Sequence, residues 1–137
     1  MAIPARTRPL IAIINDDTTF LELMEELLEE FEHYEVVVRR EWEGAYPFVK
    51  ELRPDLVVLD IVIGREERGW TILELLTLDP ATRPIPVIVC TAALRSLQDH
   101  EPLLRQYGVF SLPKPFDLDA LLSTITSALT HPGREPL

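Results

Sequence analysis

The sequence predicts an α/β protein built on a parallel sheet with helices on both faces. Short β-branched runs alternate with helical stretches along the chain. The runs are apolar without interruption, as strands buried on both sides should be, rather than alternating apolar with polar. Polar residues fall at the ends of those runs: Asn15-Asp16-Asp17, Asp60, Thr91 and Lys114.

Leu10-Ile11-Ala12-Ile13-Ile14 is the first strand, stopping at Asn15-Asp16-Asp17. The first helix follows, with Phe20, Leu23, Met24, Leu27, Leu28 and Phe31 on one apolar stripe. Thr19 and Glu22 have capping-box spacing at its start. Glu35-Val36-Val37-Val38-Arg39 is the second strand, and a second helix runs from Glu43 to Leu52. Pro54 punctuates, and Asp55-Leu56-Val57-Val58-Leu59 forms the third strand, ending on Asp60.

The polar loop Gly64-Arg65-Glu66-Glu67-Arg68-Gly69 leads to a third helix through Ile72, Leu73, Leu75 and Leu76, ended by Asp79-Pro80. Pro86-Val87-Ile88-Val89-Cys90 is the fourth strand, with Thr91 just past it. A fourth helix is expected to begin near Asp99, because Pro102 fits only a first turn. Val109 to Leu112 is a short fifth strand, placed at the sheet edge by Pro113. Asp117 caps a fifth helix carrying Leu118, Leu121, Leu122, Ile125 and Leu129. The expected organisation is a disordered arm over 1–9, one domain over 10–130 and a tail over 131–137, which reads as a stand-alone domain with no effector attached.

Composition narrows the function. The 137 residues suit one domain, and an apolar content of 47% suits a packed core. No apolar run approaches the roughly 20 residues needed to cross a bilayer, and the start lacks the apolar stretch of a secretory signal. The expectation is a cytoplasmic protein without a membrane partner. A single cysteine, Cys90, excludes an internal disulfide and a multi-cysteine zinc site. A net charge of −10 disfavours direct contact with nucleic acid.

In an open parallel sheet, ligands bind outside the carboxyl ends of the strands. Four segments therefore deliver acids, a hydroxyl and an amine to one edge. Carboxylates gathered there repel unless one protonates or a cation enters. Hard oxygens without histidine or thiolate suit Mg²⁺. A phosphoryl donor could then approach Asp60 as nucleophile, with Lys114 neutralising one phosphoryl oxygen and Thr91 donating to another.

At these residues the chain resembles the receiver domains of two-component response regulators, over roughly residues 10 to 130. The stretches that carry the resemblance are Ile13-Ile14-Asn15-Asp16-Asp17, Pro54-Asp55-Leu56-Val57-Val58-Leu59-Asp60, Val87-Ile88-Val89-Cys90-Thr91-Ala92 and Leu112-Pro113-Lys114-Pro115-Phe116. The resemblance implies a flavodoxin-like doubly wound sheet of five strands in the order 2-1-3-4-5, with five helices. It implies Asp60 as phosphoacceptor, Thr91 and Lys114 as its switch hydroxyl and lysine, and a cis Lys114–Pro115 bond. Mg²⁺ would be held by Asp16, Asp60 and the Val62 carbonyl, with Asp17 a further candidate.

The implied partners are a sensor histidine kinase or histidine phosphotransfer protein, an unidentified downstream protein, and a second copy through the face of the fourth helix, fifth strand and fifth helix. The chain would catalyse only its own phosphorylation and dephosphorylation. It departs from the pattern at Asn15, where an acid is usual, at Ile63-Gly64, in a loop to Gly69 one residue longer, and at Ser111, with the aromatic displaced to Phe110.

Alternative readings are weaker. A pseudo-receiver, binding proteins without being phosphorylated, is motivated by Asn15 and Ser111. An aspartate phosphatase would want an acid where Val62 stands, and a flavin or nucleotide module would want a Gly/Ser/Thr-rich cradle where Asn15-Asp16-Asp17 stands. The glutamates of the first helix read as a solvated face or as a docking surface for a phosphotransfer partner. Trp42 and Trp70 read as half-buried packing residues, and His33, His100 and His131 form no ligand spacing.

Overall fold

A computed structural model describes residues 8–130. The expected tail, and all but two residues of the expected arm, lie outside them. Pro9, within that arm, accepts the Glu35 N–H at 2.9 Å through its carbonyl.

Five parallel strands, β1 (Leu10–Ile14), β2 (Glu35–Arg39), β3 (Leu56–Asp60), β4 (Val87–Thr91) and β5 (Phe110–Pro113), form one sheet in the order β2-β1-β3-β4-β5. Every residue of β1, β3 and β4 is buried, which explains their unbroken apolar runs. The edge strands β2 and β5 are partly exposed, and Pro113 does lie on an edge.

The helices are α1 (Thr18–Glu26), α2 (Ala45–Leu52), α3 (Gly69–Leu78), α4 (Leu94–Asp99), α5 (Glu101–Gln106) and α6 (Leu118–Thr130). One core lies between the sheet and α2–α5, around Leu59, Val57, Leu73, Leu76 and Val89. The other lies between the sheet and α1 with α6, around Ile13, Met24, Leu28, Leu121 and Ile125. As expected, Asp117 caps α6, its Oδ1 accepting from Ala120 N–H at 2.7 Å.

Four local expectations are corrected. The fourth helix begins at Leu94, not near Asp99, and breaks at His100 into α4 and α5. Pro102 does sit in a first turn, that of α5; lacking an N–H, it cannot continue the ladder of α4. The first helix is capped by Asp17, whose Oδ1 accepts from Phe20 N–H at 3.2 Å, rather than through Thr19 and Glu22.

Beyond α1 the helix widens into a π-helical segment, Leu27–Phe31, with Glu32 N–H reaching the Leu27 carbonyl. The expected apolar stripe is not buried as a whole. Leu21, Met24 and Leu28 are buried, while Leu23 and Phe31 are 45% and 67% exposed. Finally, Trp42 and Trp70 are buried rather than half-buried, at 3% and 9%.

Candidate functional site

Register alone brings the polar residues together. Ile14 pairs with Leu59, and Leu59 with Val89, so Asn15, Asp60 and Cys90 stand at one level across β1, β3 and β4. Thr91 pairs with Pro113, which sets Thr91 and Lys114 just above that level. The Lys114 N–H donates to the Thr91 carbonyl at 2.9 Å, tying the two loops side by side.

Asp60 is buried, 7% exposed, and both its oxygens are engaged. Oδ1 accepts from Val62 N–H at 3.1 Å, and Oδ2 accepts from Lys114 Nζ at 3.0 Å. The Lys114 ammonium also lies 5.4 Å from the centre of the Phe20 ring, which meets Phe116 edge-on with centroids 6.2 Å apart. The Lys114–Pro115 bond is cis. Asp17, Phe20, Ala92, Lys114, Pro115 and Phe116 line a cleft of about 450 Å³ beside the ion pair.

The three polar residues after β1 have three different tasks. Asn15 is buried at 2% and turns its carboxamide inward, Oδ1 accepting from Asp17 N–H at 2.9 Å. Asp16 is exposed, and its Oδ2 accepts from Gly64 N–H at 2.9 Å. Asp17 caps α1. Thr91 is buried, its hydroxyl oxygen accepting from Ala93 N–H at 3.2 Å.

Asp16 and Asp60 are thus both bonded to one loop, at Gly64 and Val62. Among the described residues no group of three or more metal-ligating side chains converges. The expected set, the carboxylates of Asp16 and Asp60 with the Val62 carbonyl, consists of hard oxygens. That set could hold Mg²⁺, which is commonly bound through one or two carboxylates and keeps several waters.

Cys90, beside Asp60 in the register, is buried, and desolvation pushes its thiol up to about 12. Sequence reasoning missed a second polar cluster at the far end of the β3–α3 loop. Glu67 accepts from the Trp70 indole N–H and the Ser96 hydroxyl, and His100 stacks on Trp70. Nothing in the sequence pairs Glu67 with Ser96, 29 residues apart.

Comparison with known proteins agrees with this geometry. Residues 11–126 match the response regulator receiver domain family. The polar-differentiation response regulator DivK of Brucella anthropi is 31% identical over 120 residues, covering 87% of this chain and 94% of DivK. The DNA-binding dual master transcriptional regulator RpaA of Synechocystis is 30% identical over 93% of this chain. The chain spans 52% of RpaA's length and 26% of the transcriptional regulatory protein ZraR of Escherichia coli.

Among solved structures, the signal receiver domain of a DNA-binding response regulator from Colwellia psychrerythraea superposes with a TM-score of 0.74 at 27% identity. It covers 89% of this chain and 98% of that one. The receiver domain of the sensor histidine kinase PA1611 from Pseudomonas aeruginosa, solved with a magnesium ion in its active-site cleft, superposes with a TM-score of 0.74. At 20% identity over 91% of this chain and 100% of that one, it speaks for the fold alone. Among the described residues no helix is long and apolar enough to cross a membrane.

Proposed function

This chain belongs to the family of response regulator receiver domains of two-component systems, and on that premise we propose that it takes a phosphoryl group from a phosphohistidine onto Asp60 and signals by protein contact. One observation carries the reading: a buried carboxylate at the end of β3 with a lysine ammonium 3.0 Å from one oxygen and a backbone N–H 3.1 Å from the other. An ordinary strand-end acid would turn toward solvent. This one is held where it can react.

An Asp60 oxygen attacks phosphorus, the phosphorus–nitrogen bond of the donor breaks, and the leaving imidazole takes up a proton. Lys114 shifts its ammonium from the carboxylate to a phosphoryl oxygen, and the Thr91 hydroxyl turns to donate to another. Mg²⁺, held by Asp16, Asp60 and the Val62 carbonyl, would supply positive charge that lets an anionic donor approach two carboxylates. The main work of the residues is positioning and charge neutralisation. Asp17, already capping α1, would contribute charge to the rim.

The upper end of the available energy reaches what a switch needs. Two new charge-assisted bonds, at roughly 1.5–3 kcal/mol each, offer about 3–6 kcal/mol. Inverting a population from about 1:99 to 99:1 requires about 5.5 kcal/mol. We place the readout in the segment from Ala92 to Leu97, which follows Thr91 directly, and on the face of α4 and α5, β5 and α6. The donor would be a sensor histidine kinase or a histidine phosphotransfer protein in the cytoplasm, and that face would engage a downstream protein or a second copy.

The second reading, a receiver that binds partners without being phosphorylated, is favoured by Asn15, whose amide serves the loop backbone. Incubation with Mg²⁺ and acetyl phosphate followed by intact mass decides between them. The phosphoacceptor reading requires one added phosphoryl group on the wild type and none on Asp60→Asn; no addition to either supports the second.

A further inference from the structure

The β3–α3 loop is closed on itself and bonded to the candidate site at one end and to α4 at the other. Ile63 and Glu66 exchange backbone hydrogen bonds of 3.1 Å in both directions, making a miniature hairpin with Gly64, φ +64°, at its tip. Its base is shut by Gly69 N–H on the Ile61 carbonyl at 3.0 Å. A loop with its strands and base bonded in this way moves as a unit.

Two amides of that unit touch the acids, Val62 N–H on Asp60 Oδ1 and Gly64 N–H on Asp16 Oδ2. At the other end Glu67 Oε1 accepts from the Trp70 indole N–H at 3.1 Å and from the Ser96 hydroxyl of α4. The same indole N–H lies 2.7 Å from Ser96 Oγ. His100, at the break after α4, stacks on Trp70 with 3.8 Å between centroids and 8° between planes, and its Nδ1 lies 2.8 Å from the Ser96 carbonyl. Glu67, Trp70, Ser96 and His100 therefore lock the loop and the start of α3 to α4.

We propose that Glu67 is a positioning residue through which the state of Asp16 and Asp60 is passed to α4, by way of the rigid β3–α3 loop. The inference rests on the phosphoacceptor reading. A phosphoryl group on Asp60 takes the place of the bond from Val62 N–H, and a cation at Asp16 competes with Gly64 N–H; either displaces the hairpin. Glu67 must then drag Ser96 with it or release it.

Glu67 is solvent-exposed, so its bonds exchange with water at small cost and the latch can open. The Ser96 hydroxyl and the Trp70 indole hold its carboxyl below the usual carboxylate range.

The test is two-dimensional ¹H–¹⁵N NMR of the full chain with Mg²⁺ and beryllium fluoride as the phosphoryl mimic. In wild type, the amides of Val62 and Lys114, those of Leu94 to Leu97 and the Trp70 indole N–H should all shift. In Glu67→Ala and in Ser96→Ala, Val62 and Lys114 should respond as in wild type while the response of Leu94 to Leu97 is largely lost. Glu67→Gln, which keeps an acceptor oxygen, should restore it.

A purely structural role for Glu67 would not separate the two groups of signals. An undiminished response of α4 in Glu67→Ala overturns the latch and leaves the phosphoacceptor reading standing. Silence at Val62 and Lys114 in wild type overturns that reading, and the latch with it.

Discussion

Lys114 and Asp60, 54 residues apart in sequence, meet at 3.0 Å at the carboxyl rim of the sheet, with the carboxylate side chain 9% exposed and the lysine 27%. Breaking a buried pair by removing one partner leaves the other charge uncompensated. Lys114→Met is therefore expected to lower stability by about 1–3 kcal/mol, less than a fully buried pair would lose because the lysine is partly hydrated. Asp60→Asn, which removes the buried anion itself, should cost less. Urea unfolding of both variants checks the order; a smaller loss for Lys114→Met would show that the pair contributes little to the fold.

Asn15 presents its amide to the backbone of Asp17, and an aspartate could accept the same bond. Asn15→Asp would thus keep the loop while adding a third carboxylate near Asp16 and Asp60. Without a divalent ion the added repulsion should lower the melting temperature. With Mg²⁺ the sign should reverse, and the affinity for Mg²⁺ should rise about tenfold or more, because charge count tunes such sites. Calorimetric titration of both proteins measures this; unchanged affinity would place the Mg²⁺ away from Asn15.

The expected strand runs, the polar rim and the cap of α6 all hold because each depends on neighbours in sequence or on burial from both sides. Leu56 to Leu59 had to be apolar wherever β3 lay in the interior. The expectations that failed depend on geometry a linear pattern does not carry. Phe31 fits a regular helical stripe, but the chain takes a π-helical turn over Leu27–Phe31 and Phe31 is exposed. Pro102 marked a first turn correctly without saying that another helix, α4, precedes it. The Glu67–Ser96 contact is invisible for the same reason: an exposed loop residue and a half-buried serine on a six-residue helix carry no periodicity to align them.

Gly69 closes the base of the β3–α3 loop, and a Cβ there would lie 2.5 Å from Ile61 Cα and 2.9 Å from the Asp60 carbonyl oxygen. Both obstacles are backbone and cannot swing aside. Gly69→Ala should cost about 1–3 kcal/mol and slow phosphorylation by acetyl phosphate, since relief must move the backbone of Asp60 or Ile61. Stability and mass-resolved phosphorylation kinetics together test it; a rate equal to wild type would mean the strain is absorbed in α3.

Asp79, at the end of α3, accepts from the Tyr46 hydroxyl and the Ala81 N–H and pairs with Lys50 at 3.0 Å, tying α3 to α2. These partners, the Tyr46 bond foremost, lower its carboxyl from 3.8 to about 2. A depressed folded value means the stabilisation is complete above 3.8 and is lost as pH falls through about 2. Asp79→Asn should be less stable than wild type at neutral pH and should show a flatter acid limb across that window. Thermal unfolding as a function of pH gives the curve; parallel curves would remove Asp79 from the acid response.

Cys90 offers a clean reporter of global opening. Its thiol is buried in β4 and raised to about 12 by desolvation, so neither the thiolate nor access for a reagent exists in the folded chain. An aromatic disulfide reagent at mildly alkaline pH should leave the native protein unmodified and react at once in urea. At low denaturant the labelling rate should follow the population of the open chain, rising with the slope seen in equilibrium unfolding. The acceptor edge shares this strand, so Mg²⁺ with beryllium fluoride should slow the labelling, as any ligand that binds only the folded state must. Labelling that is fast in the native protein, or indifferent to both denaturant and ligand, would mean that β4 opens locally.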